Sequence, residues 1–227
     1  MGILFAAGAV VCCFLAAHLM LNVEKVRKNR YLRAKNPEEQ IEGIQLSPEC
    51  IRLLSVLIAA VSALAAWRLT ATMHDPLNLL KALCSLVILC ACGCVDYIEH
   101  RIPNCLTALL ALLAAVLLGA GFLSGQEGAF GYLNSGIFAA VVSGVVLTAG
   151  SVLSHHGIGF GDVKLIAALG LMGGVYIVGG TLFFSVTLCA FASAFLLLTK
   201  KKTMKESVPF GPFLFIGYIL TVSLLNV

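Results

Sequence analysis

Residues 164–199 read KLIAALGLMGGVYIVGGTLFFSVTLCAFASAFLLLT. A membrane helix uses about 20 apolar residues. This run of 36 is therefore one overlong span or two short ones. Gly173, Gly174, Gly179 and Gly180 supply flexible points for a tight hairpin or loosened helix ends. The basic residues Lys200, Lys201 and Lys202 follow directly. Two crossings return them to the side on which the run began, and one crossing leaves them on the other. The spans are set at about 164–179 and 181–199.

Working outward, apolar runs of similar length cover about 2–21, 51–71, 77–95, 104–123, 133–153 and 211–226, which makes about eight spans. The first 21 residues lack a positive leading segment, and their charges follow the apolar run. That is the reverse of a cleavable signal, so the run is expected to stay as a first helix with its N-terminus outside. Eight spans from that start place 22–52, 95–103, 154–164 and 200–210 inside. Of the chain's 15 lysines and arginines, all but Arg68 and Lys81 then lie inside, a strong positive-inside bias. Both termini are expected outside.

Composition agrees. The chain is 60% hydrophobic and 11% charged, with a mean hydropathy of +1.00, against about 25% charged in soluble domains. Strand-length alternation is absent, so the fold class is all-α, a polytopic membrane helical bundle rather than a barrel. Residues 1–227 form a single membrane domain, with 22–50 as a short charged cytoplasmic segment too small for its own core. The nine cysteines include no Cys-x-x-Cys pair. They are read as small hydrophobes, and no metal site is expected. No nucleic-acid partner is expected; the lipid bilayer is.

Two acids stand out. Gly157-Ile158-Gly159-Phe160-Gly161-Asp162-Val163-Lys164 puts a carboxylate among glycines at the edge of a span, and Asp96 ends another. Two spans separate them, so both return to the cytoplasmic face. Carboxylates sharing one proton can hydrolyse a peptide: the ionised one activates water and the protonated one polarises the carbonyl. Close like charges cannot both ionise, and a low-dielectric edge favours the shared proton further. Gly157, Gly159 and Gly161 would let a substrate backbone approach Asp162. The plainer readings are Asp162 as an interfacial helix cap and Asp96 as an acid paired with Arg101. Glu99, one turn from Asp96, is a rival acid read as solvated, and His155 and His156 are read as interfacial.

These residues resemble the type IV prepilin peptidases, membrane aspartyl proteases of the Gly-x-Gly-Asp class. Asp96-Tyr97-Ile98-Glu99-His100-Arg101-Ile102-Pro103-Asn104 looks like the first-aspartate motif, and Gly157 to Leu165 like the second. Val208-Pro209-Phe210-Gly211-Pro212-Phe213-Leu214 looks like the block that opens the last span. The resemblance covers about 77–227, the expected peptidase core. It implies that Asp96 and Asp162 are the catalytic pair. Gly159, Gly161, Lys164, Pro103, Asn104, Pro209, Gly211 and Pro212 would shape the site or bind substrate. It also implies cleavage of the basic leader from prepilins or pseudopilins, after a glycine, at the cytoplasmic face of the bacterial inner membrane. No cofactor is expected for proteolysis. Long family members carry two Cys-x-x-Cys pairs after the first span, whereas 22–50 holds only Cys50. N-methylation from S-adenosylmethionine is therefore in doubt. The alternative from another class is a small proton-coupled transporter, which would favour acids at mid-membrane.

Overall fold

The computed structural model describes residues 6–15, 17–18, 48–73, 75–125, 128–153, 159–199 and 208–224. Seven helices carry them, and no strand occurs among the described residues. They are α1 (Ala6–Leu15), α2 (Pro48–Thr72), α3 (Pro76–Glu99), α4 (Asn104–Leu123), α5 (Ala129–Leu153), α6 (Phe160–Leu198) and α7 (Gly211–Leu224). Helices α2 to α6 are long and apolar enough to cross a membrane, and α1 and α7 are shorter apolar helices. Most of the segment 22–50 lies outside the described residues, but Pro48 already begins α2.

Helix α3 is the centre of the bundle. Within its apolar window 78% of residues are buried, against 33% in α4 and 22% in α5. It packs against α2, α4, α6 and α7. Leu86, Leu89 and Cys92 on α3 are essentially inaccessible, as are Leu165 and Leu169 on α6 and Leu214 on α7. The outer faces of α4 and α5 instead expose Leu112, Val116, Phe138 and Val145, as lipid-facing helices do.

The long run resolves at Gly174. Helix α6 has 39 residues, and Gly174 within it has φ 74° and ψ −171°, outside any helical geometry. A straight helix of that length would span about 58 Å and hold Asp162 and Cys189 about 40 Å apart. Yet Gly217, six residues along α7 from the Gly211 that touches Asp96, packs on Thr181 and Ser185, while Gly161 at the start of α6 packs on Ile102, six residues past Asp96, so the chain reverses and α6 is a helical hairpin. The reversal was expected near 179–181 and lies earlier. Gly179 and Gly180 remain helical. Gly174 sits against α5, where a Cβ would come 2.7 Å from Ser135 Oγ. The amide of Val175, freed by the reversal, donates to Ser135 Oγ at 3.3 Å.

The first arm of the hairpin packs backbone to backbone on α5. A Cβ on Gly136 would lie 2.7 Å from the Leu171 carbonyl oxygen, and one on Gly170 would lie 2.9 Å from Ala140 N. Such close approach replaces the hydrophobic drive that membrane helices lack. Gly170→Ala is expected to cost about 1–3 kcal/mol through overpacking. Gly119, with open space around it, should accept alanine neutrally or with a gain of about 0.5–1 kcal/mol. Thermal unfolding of both variants in detergent checks the pair.

Candidate active site

Asp96 lies one turn before the end of α3. The helix runs on to Glu99 and ends on His100, whose φ of 52° is left-handed and whose N–H returns to the Asp96 carbonyl at 2.9 Å. The Asp96 side chain is 5% exposed. Its Oδ2 accepts from the Gly211 N–H at 2.7 Å, and the Phe210 amide also acts on the carboxylate. The partner of Asp96 is thus the start of α7, whose first amides are otherwise unpaired, rather than the Arg101 of the plainer reading. The side chain of Glu99 lies outside the described residues.

Why α7 comes so close is legible in its glycines. A Cβ on Gly211 would lie 2.8 Å from Asp96 Cβ, and one on Gly93 would lie 3.3 Å from the Gly211 carbonyl oxygen and 3.5 Å from Pro212 Cα. Gly93, a turn of helix before the acid, and Gly211, at the start of α7, let the chains touch. Pro212 sits in the first turn of α7, where its missing N–H costs nothing. Pro209 precedes the helix, half-buried.

Asp162 is the third residue of α6, and the N-cap is Gly159 rather than Asp162 itself. The side chain reaches back, as in a capping box, to accept from the Gly159 N–H. A Cβ on Gly159 would lie 3.1 Å from Asp162 Oδ2. The other carboxylate oxygen, Oδ1, is buried with no hydrogen-bond partner among the described residues. Capping therefore uses only one of its two oxygens. Gly157, His155 and His156 lie outside the described residues.

The two acidic segments touch at two further places. Gly161 packs on Ile102, where a Cβ would come 3.1 Å from Ile102 Cβ. Lys164 Nζ donates to Asn104 Oδ1 at 3.4 Å. Pro103 is the N-cap of α4 and fixes the entry to that helix, of which Asn104 is the first residue. Asp162 feels the charge of Asp96, and both act on the buried Cys92 thiol. Cys92 was not singled out from the sequence. Its place four residues before Asp96, on the same helix face, was the available signal. Cys189, also near Asp162, gave none until the reversal at Gly174 was known.

A model of the type IV leader peptidase family matches residues 82–195, half of the chain and both acids. The chain belongs to the type IV leader peptidase family. Its similar relatives include a Bacillus subtilis (strain 168) protein named prepilin leader peptidase/N-methyltransferase, 31% identical over 145 residues, 63% of this chain and 55% of that one. A Pseudomonas putida protein of the same name is 31% identical over 172 residues, 73% of this chain and 55% of its own. The chain thus spans about half the length of these leader peptidase relatives. No solved structure matches it.

Proposed function

We propose that this leader peptidase family member is a membrane aspartyl endopeptidase that removes the basic leader from type IV prepilins or pseudopilins, cutting after a glycine. What supports the reading is a convergence. Three segments far apart in sequence meet around two carboxylates: Gly161 on Ile102, Asp96 on Gly211, and Asp162 within electrostatic reach of Asp96. Asp162 Oδ1, buried and without a hydrogen-bond partner among the described residues, is the oxygen placed to hold a shared proton or a water. In the reaction, the ionised carboxylate takes a proton from water as its oxygen attacks the scissile carbonyl. The protonated carboxyl donates to the carbonyl oxygen. Collapse of the tetrahedral adduct returns a proton to the leaving amine.

The same proposal includes the bilayer as surroundings and the arrangement drawn from charge: eight spans, both termini outside, and the carboxylates at the cytoplasmic face of the inner membrane. The reversal at Gly174 favours it, because it turns α6 into an out-and-back pair. Proteolysis needs no metal or cofactor in this scheme. S-adenosylmethionine enters only if methylation, part of the relatives' name, is retained.

The test is incubation of detergent-purified protein with several prepilins, with and without chelator, and mapping of the product N-terminus by mass spectrometry. Cleavage after a glycine, unchanged by chelator, is expected. Intact prepilins throughout would sink the reading and make proton transport the next assay.

A further inference from the structure

The end of the bundle opposite the carboxylates holds a cavity of about 720 Å³ that proteolysis does not use. Lys81, Asn78, Asp75, Tyr132 and Ser85 form its polar wall. Lys81 lies within the apolar span of α3 and is 6% exposed, a costly place for an ammonium. Its Nζ donates to Asn78 Oδ1 at 3.4 Å and stands 5.4 Å from the centre of the Tyr132 ring. Asn78 Nδ2 in turn donates to Asp75 Oδ2 at 3.3 Å and approaches Tyr132 Oη at 3.5 Å. One amide thus stands between a cation and an anion.

The two charges differ in depth. Asp75 is exposed at the mouth, as the N-cap of α3, and makes no side-chain cap. Lys81 sits six residues further in, about 9 Å along the axis, although its side chain leans back toward the helix start. The result is a deep cation, a rim anion and, between them, an amide able to rotate toward a ligand. Around this pair the wall is apolar, with Met73, Leu118, Met172 and Ile177.

We propose that this cavity binds the headgroup of a zwitterionic, ethanolamine-type phospholipid, its phosphate on Lys81 and its ammonium at Asp75. In a bilayer the phosphate lies nearer the hydrocarbon than the ammonium does, which matches the depth order of the two side chains. The ammonium of Lys81 gains the anionic partner that a buried charge requires, and the apolar wall receives the glycerol and the first methylenes. Gly173 and Gly174 also line the cavity, so the bound headgroup would brace the reversal of α6. Nothing in this inference depends on peptidase activity.

The experiment is thermal unfolding of the full chain in mild detergent, titrated with short-chain phosphatidylethanolamine, phosphatidylglycerol or inorganic phosphate. Phosphatidylethanolamine is expected to raise the midpoint most. Lys81→Met should weaken its binding at least about tenfold, the loss of one charge-assisted hydrogen bond. Asp75→Asn should erase the preference for ethanolamine over glycerol while keeping phosphate-headed lipids bound. No shift in the wild type, or an equal shift in Lys81→Met, overturns the site. Equal or stronger stabilisation by phosphatidylglycerol overturns the zwitterion, and equal stabilisation by inorganic phosphate overturns the lipid. If Lys81→Met does not fold, the wild-type titrations and Asp75→Asn decide.

Discussion

Asp96→Asn and Asp162→Asn are each expected to abolish leader cleavage and to leave the protein folded and inserted. The amide matches the carboxyl in shape, so the local frame survives. At position 96 the amide oxygen can still accept from the Gly211 N–H, the 2.7 Å contact that docks α7 on α3. At position 162 it can still accept from the Gly159 N–H at the start of α6. An amide can neither take a proton from water nor give one to the carbonyl. Losing one such group costs about 10²–10⁴-fold, and losing a member of a pair that shares a proton removes both roles. The backbone amides that hold both acids can donate equally to an amide oxygen, and the charge of the exposed His100 near Asp96 stays solvated, so the thermal midpoint should change little. The check is the rate of prepilin cleavage beside the unfolding temperature of each purified variant. Wild-type activity in either variant would end the assignment.

Gly211→Ala should be the most damaging substitution that leaves both acids in place. Its Cβ would lie 2.8 Å from Asp96 Cβ and 3.0 Å from Asp96 Oδ2. Gly93 packs on the Gly211 carbonyl at the same contact between α3 and α7, so parting the helices there would also lose that packing. Either the Asp96 side chain rotates off its amide or the start of α7 lifts. Overpacking of this kind costs about 1–3 kcal/mol, and a shift of about 1 Å at a reacting group can cost about 100-fold in rate. The expected result is a fall in cleavage far larger than the fall in thermal midpoint. An unchanged rate would show that the contact between α7 and Asp96 is not part of the site.

Much of this was visible in the residues. The span at 104–123 coincides with α4 because Pro103 marks its start and Ser124 and Gly125 its end. The two acidic motifs were legible because few residues are as costly as aspartate in an apolar segment. The third block was legible as a helix start, but its hydrogen bond to Asp96 was not, since nothing local in Gly211 names a partner 115 residues away. The reversal in the long run was foreseen but misplaced. Four glycines offer the same backbone freedom, and only the tertiary contact with Ser135 singles out Gly174. The sequence marked Lys81 only as one of two basic residues not placed inside, and packing reveals it as buried beside a cavity.

The central claim is that Asp96 and Asp162 act as one unit. The most direct test is a double-mutant cycle on single-turnover prepilin cleavage, with Asp96→Asn, Asp162→Asn and the pair combined. If one proton is shared, the double variant falls to the same residual rate as each single variant, because the first substitution already removes the unit's chemistry. Losses that multiply, with each single variant keeping a substantial and separate rate, would contradict the shared site.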